Sequence, residues 1–142
     1  LHGIGKLAIN LYVEKLGKSS RLIETQSREI IHREERNTFG ITSLKAGSEL
    51  LKHWQFESEI WLPIRQQNDP VRATNYILQT AILTLALWGT DNFGAYNSEA
   101  SLPKNITWAL KELNIDRSDV PSLMDDIRFE FNDRQNLFSM LI

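Results

Sequence analysis

Along nearly the whole chain, apolar residues recur three and four positions apart. No apolar–polar alternation long enough for a strand interrupts them. That period stacks apolar side chains on one face of each helix, so the expected fold is all-α, a multi-helix bundle. With 142 residues, a single domain spanning 1–142 is the expectation, large enough to bury roughly 68–70% of its unfolded surface. Apolar residues make up 42% and charged residues 24%, which excludes a wholly disordered chain.

Other classes fall away on composition. Sixteen basic and eighteen acidic residues leave a net charge of −2, without the basic face that nucleic-acid binding uses. Lys15, Lys18 and Arg21 gather near one helix end, a common solvated feature, so nucleic acid ranks last among partners. Cysteine is absent, which removes disulfides, zinc knuckles and thiol catalysis and fits a reducing cytoplasm. The most apolar stretch, Tyr76 to Trp88, is broken by Gln79, Thr80 and Thr84. It falls short of the ~20 residues a membrane span needs. No signal peptide is visible. The chain opens on Leu1 rather than Met and reads as a fragment of a longer protein whose upstream helices are missing.

Seven helices are expected. The first covers about Ile4–Leu16, turning Leu7 and Leu11 inward with Ile4 and Tyr12 on the flank, and Gly17 stops it. The second starts from Ser19 or Ser20 and runs to about Arg36 with Leu22, Ile23, Ile30 and Ile31 inward; Asn37–Gly40 turns the chain. Thr42 caps the third, whose apolar face is Gly47, Leu50, Leu51 and Trp54. Gly47 costs a helix interior about 1 kcal/mol relative to Ala, which implies a close neighbouring helix. After a turn at Gln55-Phe56, a fourth helix starts at Glu57 or Ser58 and reaches about Gln67. Ile60, Ile64 and Trp61 face inward, Pro63 should kink or break it, and Asp69-Pro70 ends the segment. The fifth, Arg72–Trp88, has Ile77, Leu78, Ala81, Ile82, Leu85 and Ala86 on a wide face suited to the bundle centre, and Gly89–Ser101 is a polar loop. A short helix spans Lys104–Leu113. The last spans about Asp119–Leu141, with Ser118 a better cap than Asp116 because Pro121 must sit in the first turn. Its stripe is Val120, Leu123, Met124, Ile127 and Phe131, continued by Leu137, Phe138, Met140 and Leu141.

Few residues suggest chemistry. Gly3 and Gly5 lack the strand and the Lys-Ser/Thr pair of a phosphate loop. His2, His32 and His53 are scattered without metal-ligand spacing and read as surface or half-buried residues. Glu34-Glu35 and Asp125-Asp126 are adjacent pairs that diverge around a helix and read as solvated faces. Trp54, Trp61, Trp88 and Trp108 read as core.

One longer constellation stands out: Glu35-x-x-x-Phe39-Gly40-Ile41, then Gly47-x-x-Leu50-Leu51-x-x-Trp54, continuing through Phe56, Ile60 and Ile64 to Asp69-Pro70. It resembles the C-terminal portion of the HDOD (HD-related output domain) family, whose pattern is E-x-x-x-F-G-I-D-H-x-x-x-G-x-x-L-L-x-x-W. Leu1-His2-Gly3-Ile4-Gly5-Lys6 resembles the family's L-H-D-I-G-K. The helix around Ala81 and Ala86 is similar to its A-D-x-x-A segment, so the resemblance runs from residue 1 to about 90. It implies a helical fold in which Glu35, Phe39, Gly40, Gly47, Leu50, Leu51, Trp54 and Pro70 are structural. In the related HD and HD-GYP phosphohydrolases, histidines and aspartates at such motif positions hold divalent metal. Here those positions carry Gly3, Ser43, Gln67, Asn68 and Ile82, and only His2 survives. Hard cations want anionic oxygens, so no metal centre, no cofactor and no catalytic residue are expected. A vestigial pocket is expected where His2, Gly3, Ser43, Gln67 and Asn68 converge.

The resemblance therefore implies a non-catalytic bacterial signal-transduction or output module working by protein–protein interaction. Its partner would be a signalling protein, an upstream domain of the same chain or a second copy, with no membrane involved. The competing reading is a metal-dependent HD-type phosphohydrolase, with a cyclic dinucleotide as its candidate substrate.

Overall fold

A computed structural model describes residues 1–15, 28–92 and 94–140. These residues are all-helical, with no strand among them. The helices are α1 (Ile4–Lys15), α2 (Arg28–Phe39), α3 (Ser43–His53), α4 (Ser58–Gln66), α5 (Ile77–Asn92), α6 (Lys104–Glu112) and α7 (Val120–Met140). Short 3-10 turns lie at Pro70–Arg72 and Arg117–Asp119. The chain forms two compact units, Leu1–Gln79 and Thr80–Ile142. Gly17, Lys18, Ser19, Ser20, Arg21, Leu22, Ile23 and Leu141, which carried several sequence expectations, lie outside the described residues, as do the side chains of Leu137, Phe138 and Met140.

In the first unit, α3 packs against both α1 and α4. The α1–α3 crossing is backbone against backbone. A Cβ on Gly5 would collide with the Ser43 carbonyl oxygen, and one on Gly47 would lie 3.0 Å from the Gly5 nitrogen. Gly47 thus gains the close neighbour its spacing implied. The same crossing overturns the expected face of α1. Gly5, Ile9 and Val13, four apart, are buried, while Leu7, Leu11 and Tyr12 are 55, 55 and 61% exposed. The helix turns its slimmest face, not its most apolar one, toward its neighbour, because only glycine admits that approach.

The buried face of α3 is Leu44, Gly47, Ser48 and Leu51. Leu50 is half-buried and Trp54 is 51% exposed. Trp54 is already the C-cap of the helix, which takes its ring out of the core; Trp61, Trp88 and Trp108 are half-buried. The fourth helix is not broken at Pro63 but continues to Gln66. Glu59, whose carbonyl loses its donor to the proline, is exposed, so water can serve it. In α2, Ile30 is exposed and Ile31 half-buried, while His32 and Glu35 occupy the inside. The helix runs to Phe39, past the expected end at Arg36.

The second unit builds its core from Ala81, Leu85, Ile106, Ala109, Leu110, Val120 and Met124, flanked by Trp88, Leu123 and Ile127. Helix α5 is displaced from its expected range: it starts at Ile77 and runs through Gly89 to Asn92, where a loop was expected. Its buried residues are Thr80, Ala81, Thr84, Leu85 and Gly89, whereas Leu78, Ile82 and Ala86 are exposed, so it is not a central helix apolar all round. Buried threonines are tolerable here because the Thr84 hydroxyl donates to the Thr80 carbonyl at 2.8 Å. At Gly89, inside α5, a Cβ would meet Ile127 Cδ1 at 2.5 Å, so the missing side chain makes room for α7. Trp88 and Tyr96 meet edge to face at 5.8 Å. Asp116 caps the 3-10 turn Arg117–Asp119 that leads into α7, and Ser118 lies inside that turn. The Asp116 carboxylate accepts from the Ser118 N–H at 2.8 Å and the Ser118 hydroxyl at 2.7 Å. These bonds hold its carboxyl below the usual range. Phe131 is 40% exposed, so the buried stripe of α7 ends at Ile127 among the described side chains.

Candidate functional site

The best-defined polar arrangement lies where α2 hands over to α3. Helix α2 ends at Phe39, and Gly40 adopts φ +72°, a left-handed conformation that glycine takes without strain. The chain then extends through Thr42 (φ −91°, ψ 154°), whose hydroxyl accepts from the Lys45 N–H at 3.2 Å as the N-cap of α3.

This reversal carries the first turn of α3 back onto Glu35. The Glu35 side chain is 1% exposed. Its Oε2 accepts the Ser43 N–H at 2.7 Å, the Ser43 hydroxyl at 2.9 Å and His32 Nδ1 at 3.2 Å. Burial pushes the Glu35 carboxyl up, but the bonds from His32 and from the Ser43 backbone and hydroxyl outweigh it and hold the group below the usual carboxylate range. The group is therefore ionised at neutral pH, and His32 Nδ1 must be the donor. A carboxylate at the start of a helix also meets the positive end of the helix dipole. The solvated-face reading holds for Glu34, which is exposed, and fails for Glu35. His32, read as a surface or half-buried residue, is buried as the partner of Glu35.

Beside this strut lies a cleft of about 340 Å³. It is lined by the Gly40–Thr42 turn and Leu44, by His32 and Arg36 from α2, by Lys45 from α3, and by Arg65 and Asn68 from the end of α4 and the turn after it. Among the described residues, no aspartate or glutamate lines it. Arg65 is shared with Glu49 at 3.3 Å, with both side chains nearly half exposed.

The structure places each residue named for the vestigial pocket as follows. Asn68 lines the cleft. Ser43 is buried with both its N–H and its hydroxyl committed to Glu35. Gln67 is the C-cap of α4, with its Nε2 enclosed and lacking a hydrogen-bond partner. His2 and Gly3 are exposed ahead of α1. Among the described residues, no three His, Cys, Asp or Glu side chains gather as a metal-ligand set. No helix there is long and apolar enough to cross a membrane. Sequence reasoning missed the cleft's cations. The available signal was the spacing of His32 and Arg36, four apart on one face of α2, with Glu35 three residues after His32.

The family model described as "HDOD domain" covers residues 1–70, the stretch holding α1 to α4 and the cleft. No curated protein and no solved structure matches the chain.

Proposed function

Residues 1–70 belong to the HDOD family, and from that premise we propose that this chain is a non-catalytic bacterial signalling or output module that acts by binding another protein. The observation that carries the reading is the fate of Glu35. It is the one carboxylate among the described buried side chains, and its Oε2 is occupied by three donors, two of which, from Ser43, tie α2 to α3. A metallophosphohydrolase needs such an acid free to hold a cation that generates hydroxide. Here the acid is a structural strut. The residue types at the related metal positions, Gly3, Ser43, Gln67 and Asn68, bring no charge. Exposed Leu7, Leu11 and Tyr12 on α1 support a surface that another protein covers. That protein is a signalling protein, an upstream domain or a second copy, met in the cytoplasm.

The test is metal content by plasma mass spectrometry on the full-length protein after incubation with manganese, iron and magnesium and then desalting. It is paired with hydrolysis of bis(p-nitrophenyl) phosphate. The expected result is under about a tenth of an equivalent of metal and no turnover. About one or two equivalents with metal-dependent turnover overturns the reading in favour of an HD-type phosphohydrolase.

A further inference from the structure

We propose that the cleft between α2, α3 and the end of α4 is a binding site for a small phosphate monoester, the ligand through which this module senses its signal. The proposal rests on the non-catalytic reading above, because the phosphate is held and not cleaved.

Three cationic side chains, Arg36, Lys45 and Arg65, line one cleft whose lining contains no carboxylate among the described residues. Neither Arg36 nor Lys45 has a carboxylate partner among the described residues. Like charges lining one cleft repel, and an anion placed among them relieves that repulsion. Arg65 is held only by a half-exposed pair with Glu49, a weak contact, so it is available to turn toward an incoming anion. The buried acid Glu35 does not compete, since its Oε2 already accepts from Ser43 and His32. Two guanidinium groups and an ammonium suit phosphate oxygens, the guanidiniums in bidentate fashion.

The rest of the lining sets the body of the ligand. About 340 Å³ is at the small end of ligand cavities. Asn68 offers both a donor and an acceptor. Among the described residues the lining apart from Ile41 and Leu44 is largely polar, with no Phe, Tyr or Trp to stack a base. A short polyol phosphate fits this chemistry better than a nucleotide or a nucleic-acid strand.

The test is a ¹H–¹⁵N titration of the full-length, EDTA-treated protein with glycerol 1-phosphate, inorganic phosphate, AMP and, as the uncharged control, glycerol. Saturable shifts at Arg36, Gly40–Lys45 and Asn68 with glycerol 1-phosphate, at a Kd of about 1 mM or tighter, are expected, with none from glycerol. Arg36→Gln and Lys45→Gln each weaken binding about tenfold or more, whereas Arg128→Gln on α7 does not. These cations are exposed, so the variants fold, which far-UV circular dichroism checks. No saturable shift, equal binding by the Arg36 and Lys45 variants, or inorganic phosphate binding without glycerol 1-phosphate overturns the site. AMP binding tighter than glycerol 1-phosphate overturns the polyol assignment. Such failures leave the metal-free reading standing. Release of inorganic phosphate from glycerol 1-phosphate when metal is added overturns the non-catalytic reading instead.

Discussion

Replacing Glu35 by glutamine should destabilise the N-terminal unit by an amount that acid removes. The amide keeps the shape of the carboxylate and can still offer one oxygen to Ser43 and His32, but that oxygen is neutral. Hydrogen bonds to a charged group contribute about 1.5–3 kcal/mol each and neutral ones about 0.5–1.5, so three weakened bonds lose about 3 kcal/mol in gross terms. An amide is cheaper to bury than a carboxylate, which offsets part of this and leaves a net loss of about 1–2 kcal/mol. Glu35→Ala strands three donors at about 1–3 kcal/mol each, a large share of the 5–15 kcal/mol that holds a typical domain together. The Glu35 carboxyl lies lower in the folded state than in the unfolded chain, where glutamate titrates near ~4.3. Its stabilisation is therefore complete above the unfolded value and is lost as pH falls through the folded one. Urea unfolding followed by far-UV circular dichroism, run on wild type and Glu35→Gln from pH 7 down to about 3, should show a gap that closes toward acid. Equal stability at pH 7, or a gap that persists undiminished in acid, would refute the strut. Other carboxylates titrate in both proteins and cancel in the difference.

Two further substitutions probe the frame around this strut. Gly5→Ala drives a methyl group into the Ser43 carbonyl and the Gly47 backbone, and backbone cannot yield as a side chain can. It should cost about 3 kcal/mol or more, while Gly3→Ala, with open space around it, leaves the thermal midpoint unchanged. Thr42→Ala removes the α3 cap and should cost about 1 kcal/mol in urea unfolding, with Thr42→Ser restoring most of it.

Residues whose role is local were legible in the sequence. Thr42 caps α3, Asp69-Pro70 follows α4, Pro121 sits in a first turn, and α6 starts at Lys104. Each depends on a few neighbouring backbone groups. The face of α1 was not legible, because hydrophobicity favours Leu7 and Leu11 while the partner helix demands the absence of a Cβ at Gly5, a demand set by Gly47 some forty residues away. The face of α5 misled for a related reason: a helix apolar around most of its circumference gives periodicity little to choose from. At the site, Glu35 was visible as one motif position, but its neighbour Glu34 made the pair resemble a solvated face. Only the left-handed Gly40 and the return of Ser43 distinguish the two acids. The cleft is assembled from α2, α3 and α4 together, and spacing within any one helix carries no record of that meeting.

The glycine crossing of α1 and α3 has a mechanical meaning. Most helix contacts are cushioned by side chains that hop between rotamers and absorb small displacements. Gly5 and Gly47 have no rotamers, so their contact has no intermediate settings: the two backbones are seated against each other or parted. Heating or a pull on α1 should therefore leave the α1–α3 geometry unchanged until it gives way at once. A displacement applied to α1 at Gly5 would bear directly on the backbone of Ser43, the residue whose N–H and hydroxyl hold Glu35.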